Sequence, residues 1–159
     1  MGLDMYLNAE RFFGGYSDPQ GRDQMIAVLG DERPPMCVSD ASAALSFEVA
    51  YWRKANAIHR WFVENVQNGV DDCQKVDVSL DQLRDLVGLC ETLLGKRDAE
   101  LAEEYLPTES GFFYGTTDYD DWYWDCLQLT VDQVKPLLMW FDEDPRRAAQ
   151  WDVSYRSSW

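Results

Sequence analysis

The chain opens on alternation. In LDMYL, residues 3–7, Leu3, Met5 and Leu7 fall on one side of an extended backbone, which predicts a short strand. GGYSDPQGRD reads as a loop from its Gly, Pro, Asp and Ser content. A short helix is predicted over 24–29, broken by Gly30 and the Pro34-Pro35 pair. Residues 36–50 are ambiguous, with a strand near Met36 to Val38 as one reading. From about Ser46 the period becomes helical. Val49, Trp52, Asn56, His59, Val63 and Val66 recur at three- and four-residue steps and share one stripe, and Asn68-Gly69 supplies a stop.

QKVDV, residues 74–78, reads as a short strand or connector. Ser79 then opens a second helix, with Gln82 completing a capping box. Leu83, Leu86, Val87, Cys90, Leu93 and Leu94 form its apolar face, and Gly95 is its expected end. Residues 101–105 extend the helical region towards Pro107, and GFFYG, residues 111–115, has the aromatic content of a strand. Thr117 and Asp120 are the candidate caps of a third long helix through Tyr123, Cys126, Leu127, Val131 and Val134, which Pro136 should kink or end. WDVSYRSSW alternates Trp151, Val153 and Tyr155 as a terminal strand. No repeat or linker splits residues 1–159. The pattern predicts a single α+β domain with about three main helices packed on a small, mostly antiparallel sheet.

Composition and charge narrow what such a domain binds. At 159 residues and 46% hydrophobic content, the chain is long enough for one sizeable core. Its 29 acidic residues against 14 basic ones give a net charge of −15. That balance argues against direct nucleic-acid binding, which needs clustered Lys and Arg, and against anionic membrane surfaces. It favours a basic partner, although acidity also serves plain solubility. Cys37, Cys73, Cys90 and Cys126 form no CxxC pair, and with a single histidine a zinc site is not expected. No metal or cofactor is implied. Neither a secretory signal, a membrane span nor a myristoylation signal is visible, so a reducing cytoplasm is the expected setting.

Two constellations could carry function. Asp98 to Val134 contains no Lys, Arg or His but ten acids, among them Glu103, Glu104, Glu109, Asp118, Asp120 and Asp121. Tyr105, Phe112, Phe113, Tyr114, Tyr119, Trp122, Tyr123 and Trp124 are interleaved with them. Such a segment presents a negative, partly apolar surface to a basic partner, as a decoy for a phosphate backbone would. The plainer alternative is core aromatics beside a solvated acidic face, and helix starts favour some of these acids anyway. Asp118, Asp120 and Asp121 lack the spacing of a calcium loop.

The second constellation is in YWRKANAIHRWF, residues 51–62. Asn56 and His59 lie one turn apart, with Arg53 and Arg60 on a neighbouring stripe, so imidazole, amide and guanidinium could meet a small anion. His59 is the default general base if the chain is an enzyme. Its neighbours Trp52 and Val63 make a hydrogen-bonded core histidine the stronger reading. Cys90 and Cys126 lie on apolar faces where a thiol is inert, and Cys37 and Cys73 have no sequence-local base. GGYSDPQG carries neither nucleotide fingerprint.

MGLDMYL, YWRKANAIHRWFVENVQNGVDDC, LPTESGFFYGTTDYDDWYW and the closing YRSSW together resemble a family of small uncharacterised bacteriophage and prophage proteins. The resemblance covers about half of the chain. It implies a phage accessory protein acting in the bacterial cytoplasm, with no established activity. The polar residues inside the matching stretches include Asp4, Arg53, Lys54, Asn56, His59, Asn65, Asp72, Asp118 and Asp120. Residues 8–45 and Pro136 depart from the family pattern. The expected partner is a host or defence protein with a basic surface, met through Glu103, Glu104, Glu109, Asp118, Asp120, Asp121 and Trp122. The alternatives are a small-molecule or nucleotide site, enzymatic or not, around Arg53, Asn56 and His59, and a self-assembling phage component.

Overall fold

A computed structural model describes residues 2–14, 16–30 and 42–159. Strand β1 (Asp4–Phe13) is followed by helix α1 (Pro19–Leu29), strand β2 (Ala43–Arg53), helix α2 (Asn56–Asn65) and the short strand β3 (Val76–Asp77). Helices α3 (Leu80–Lys96), α4 (Ala99–Tyr105) and α5 (Asp121–Glu143) come next, and strand β4 (Asp152–Ser158) closes the chain. The sheet order is β2-β1-β4-β3, with each neighbouring pair antiparallel. The protein is thus an α+β domain, and α1 and α4 are short additions to the three main helices.

The core lies on one face of the sheet. Leu3, Met5 and Leu7 project into it beside Ala50, Trp52, Val153 and Tyr155, and all seven are buried. Leu83, Leu86, Val87, Cys90 and Leu93 of α3 meet Leu127, Val131, Val134 and Leu138 of α5 within the same cluster. Val76 and Leu94 pack against it only partly buried. The capping box forms as the sequence predicts: the Gln82 amide donates to Ser79 Oγ at 3.1 Å, and Ser79 N donates back to Gln82 Oε1 at 2.9 Å.

Several local expectations are corrected by the structure. Residues 46–53 belong to β2 and not to a helix, so Val49 and Trp52 do not share a stripe with His59. This FEVAYW segment is rich in β-branched and aromatic residues and pairs along its length with β1. A bulge explains the misleading three-residue step: Leu7 faces Ala50 and Asn8 faces Glu48, which leaves Val49 as an extra residue. Lys54, in the left-handed region at φ 56°, then turns the chain into α2.

GFFYG is a turn rather than a strand. Tyr114 N donates to Gly111 O at 3.2 Å and Gly115 takes φ 91°, a conformation that suits glycine. Helix α1 starts at Pro19, inside the predicted loop, because Asp18 caps it by accepting from Gly21 N at 2.9 Å and proline fits the first helical position. Helix α3 passes Gly95 and ends at Lys96, capped by Arg97, which is left-handed at φ 47°. For α5, Asp120 alone is the cap.

Helix α5 also runs through Pro136 to Glu143. An interior proline costs about 3 kcal/mol. Here Pro136 and Asp132, whose carbonyl loses its donor, are exposed, so water can replace the missing bond. Val131 and Val134 before it, and Leu138 and Phe141 after it, are buried and hold both halves to the core. Lys135–Glu91 and Arg84–Asp142, both at 2.6 Å, join α5 to α3 on either side of it. The predicted strand at Met36 to Val38 lies outside the described residues.

One buried polar bond ties helix to sheet. Trp52 Nε1 donates to Thr130 Oγ1 at 2.9 Å, and both residues are fully buried. Replacing Thr130 with Val keeps the shape but strands an indole N–H. A loss of about 1–3 kcal/mol is expected in denaturant titrations, against a negligible effect for the exposed Thr92→Val.

Candidate functional site

Helix α2 is buried along most of its surface, and His59 is completely enclosed. Both ring nitrogens have partners: Nδ1 meets Tyr155 Oη at 2.7 Å and Nε2 meets Asp71 Oδ2 at 3.0 Å. Burial holds Tyr155 as a phenol by pushing its pKa well above the usual range, so its hydroxyl keeps a proton to donate to an Nδ1 that carries none. Nε2 then carries the proton that the carboxylate accepts. One tautomer, with its proton on Nε2, satisfies the whole chain. The Tyr155 ring is stacked on Phe62, with centroids 3.9 Å apart, so the partner of the imidazole is itself held by α2.

The loop between α2 and β3 delivers Asp71. Asn68 and Gly69 turn at φ 54° and 77°, Cys73 turns again at φ 61°, and Gln67 Nε2 donates to Gln74 O at 3.2 Å across the loop. Asp71 also accepts from Tyr114 Oη at 2.5 Å and from Trp159 Nε1 at 3.1 Å. Burial opposes ionisation of Asp71, but the hydrogen bonds from Tyr114, His59 and Trp159 outweigh it and hold the carboxyl below its ordinary range. For Tyr114, burial and the bond to Asp71 both raise the phenol.

Asn56 is equally committed. Its Nδ2 donates to Tyr114 O at 3.1 Å and Thr116 O at 2.7 Å, while its Oδ1 accepts from Glu109 N at 3.2 Å. The first turn of α2 therefore anchors the segment 107–120. Thr108 closes that segment on itself, with Oγ1 donating to Thr117 O at 3.0 Å.

Asn56 and His59 are thus brought into one region, but as buried anchors; neither offers a free polar atom to a ligand. Arg53 is parted from them, standing exposed at the end of β2. Arg60 pairs with Glu64 one turn along at 2.8 Å rather than with the acidic segment. Burial pushes the Cys90 and Cys126 thiols up to about 12, which leaves them unreactive. Cys73 is half-buried beside Ser157 Oγ at 3.9 Å, and Cys37 lies outside the described residues. No three metal-ligating side chains gather among the described residues.

The acidic residues occupy α4, the 107–120 segment and α5. Tyr123 Oη, donating to Leu106 O at 2.9 Å, holds the end of α4 to the start of α5. Glu103, Glu104, Asp118, Asp120, Asp121 and Trp122 are exposed, and Glu109 is half-buried. Among the described residues, no Lys or Arg pairs with any of the ten carboxylates between Asp98 and Val134. Comparison of the chain with protein-family models, with curated proteins and with solved structures returned no match. The class is therefore defined by the fold alone: a four-stranded antiparallel sheet with its main helices on one face. No helix of the described residues is long and apolar enough to cross a membrane.

Asp71, Tyr155 and Trp159 escaped sequence reasoning. A buried histidine requires two partners, which is a usable signal, but nothing local says which acid and which hydroxyl supply them.

Two outcomes follow from the network. Tyr155→Phe leaves His59 Nδ1 without a donor and should cost about 1–3 kcal/mol in guanidinium unfolding. Asp71 has a folded-state pKa below its ordinary 3.8, so its contribution is complete above that value and is lost as pH falls through the folded one. The stability gap between wild type and Asp71→Asn should therefore be widest near neutrality and shrink below that ordinary value. A gap that does not change with pH would show that the carboxylate charge contributes nothing.

Proposed function

We propose that this chain is a phage or prophage accessory protein that binds, and so inhibits, a host or defence protein with a basic surface in the bacterial cytoplasm. The surface used is α4, the 107–120 segment and the start of α5. One observation carries this reading: among the described residues, ten carboxylates stand without an ion-pair partner, and the ion pairs that do form all lie outside that block. Large aromatics are exposed beside these acids. Phe112, Tyr105 and Trp122 are 95%, 56% and 49% exposed there. Unpaired charge with apolar anchors suits a partner that carries Lys and Arg for a phosphate backbone.

The anchoring by Asn56 and Thr108 keeps the segment in one arrangement, which lowers the ordering cost of binding. The rival site around Arg53, Asn56 and His59 lacks this kind of support, since Asn56 and His59 spend their polar atoms internally.

The test is affinity purification from a bacterial host with mass spectrometry, followed by rate measurements on the recovered protein. Association should slow as salt rises, because exposed charges are screened over about 8–10 Å at moderate ionic strength. Neutralising Glu103, Glu104, Asp118 and Asp121 together to Gln or Asn should slow association by about tenfold or more. Recovery of no host protein, or association indifferent to salt and to these changes, would sink the proposal.

A further inference from the structure

Strand β2 is one edge of the sheet and runs for 11 residues, whereas the other edge is the two-residue β3. A long edge presents backbone groups that a further strand can pair with, and proteins block it where such pairing is harmful. At Tyr51 it is blocked. Gln133 Oε1 of α5 accepts from Tyr51 N at 2.8 Å, and Gln133 Nε2 donates to Tyr51 O at 3.1 Å, so one side chain takes both groups as a strand would. Tyr51 faces Tyr6, and its groups point away from β1. Bonded and non-bonded pairs alternate along an antiparallel ladder, so the residues facing Asn8, Glu10 and Phe12 also turn their N–H and C=O outward.

Those residues are Glu48, Ser46 and Ala44, and all three are exposed. Among the described residues, no partner meets their outward backbone groups. The register from Phe13–Ala43 to Asn8–Glu48 is unbroken, because the bulge lies beyond it at Val49. Side chains alternate as well. Phe47 faces the buried Ala9 on the core side of the sheet yet is 53% exposed, beside an apolar hollow lined by Val49, Leu137, Trp140 and Trp151. Leu45 shares that side, and Ala44, Ser46 and Glu48 stand on the open one.

We propose that β2 of a second copy of this chain pairs with this edge, antiparallel and centred on Ser46, so that the two sheets become one. Register and charge single out this occupant. With Ser46 opposite the partner's Ser46, Ala44 meets the partner's Glu48, and Glu48 meets the partner's Ala44. All three outward residues of each copy are then engaged and no like charges oppose one another, whereas centring on Glu48 would set two carboxylates face to face. On the core side Phe47 lies against the partner's Leu45, an aromatic–aliphatic pair that covers part of the hollow. Strand β2 thus carries the alternation that its own edge accepts. The surface is separate from that of α4 and α5, and its failure would leave host binding untouched.

Analytical ultracentrifugation of the full chain over about 1–500 μM is the test. A monomer–dimer equilibrium is expected, from 18.4 kDa to twice that mass. Raising salt from about 0.05 to 0.5 M should tighten the dimer, because two copies at −15 repel until they are screened. This is the reverse of the salt response expected for host binding. Ser46→Pro removes an outward N–H without touching the β1 ladder, and Ala44→Glu sets a carboxylate against the partner's Glu48. Each should weaken the dimer by about tenfold or more, while Ala44→Lys should hold or tighten it. An unchanged far-UV circular dichroism spectrum confirms folding, and the two Ala44 variants decide the matter if the proline variant does not fold. A chain that stays monomeric throughout this range overturns the proposal, as does a dimer indifferent to the folded variants. A monomer that instead binds an extended basic peptide along β2 overturns it too, since a foreign strand then takes the edge.

Discussion

His59 occupies a core position of α2, and once water is excluded both of its ring nitrogens must be satisfied by protein. Tyr155 and Asp71 do this, and the requirement reaches far beyond the histidine. Tyr155 belongs to β4, the last strand, which lies between β1 and β3. Asp71 belongs to the loop that follows α2, and it gathers Tyr114 and Trp159 as further donors. A buried, unpaired polar group costs more than an ordinary hydrogen bond returns. The arrangement of four distant segments is therefore tied to a single imidazole.

This constraint also explains the shape of the 107–120 segment. Tyr114 leaves the GFFYG run to reach Asp71, and its carbonyl, with that of Thr116, is held by Asn56. Residues with strand-forming composition are thereby bent into a turn. The side effect is that Phe112 is left facing solvent, close in sequence to acids that are in no ion pair among the described residues. A core requirement and a surface property arise from the same set of bonds.

The charge distribution adds a second theme. Some ion pairs join elements that pack together, as Arg84–Asp142 and Lys135–Glu91 join α3 and α5, and others, such as Arg60–Glu64 and Arg147–Glu143, lie within one turn of a helix or its end. Exposed pairs of this kind stabilise little, roughly 0–1 kcal/mol each. Two surfaces are left outside these pairs: the carboxylates of α4 and the start of α5, and the open sheet, where Arg53 and Arg156 stand beside tyrosines and the Asp4 carboxylate. Both surfaces lie outside the hydrophobic core, so their charges are not fixed by packing.

The amphipathic stripe of α3, its capping box, the buried stripe of α2 from Asn56 to Val66 and the alternation of β1 were legible along the chain, because each depends on residues within one or two turns. The aromatic and acidic content of 98–134 was equally plain. Residues 46–53 were not, since a bulged strand can imitate a three-residue step and only pairing with β1 decides the matter. Pro136 does not end α5, because packing on both sides of it outweighs a local penalty. That His59 would be buried could be argued from its neighbours in sequence. Its partners Asp71 and Tyr155, 12 and 96 positions away, were settled only by the fold, because hydrogen bonds depend on distance in space and leave no periodic trace in the chain.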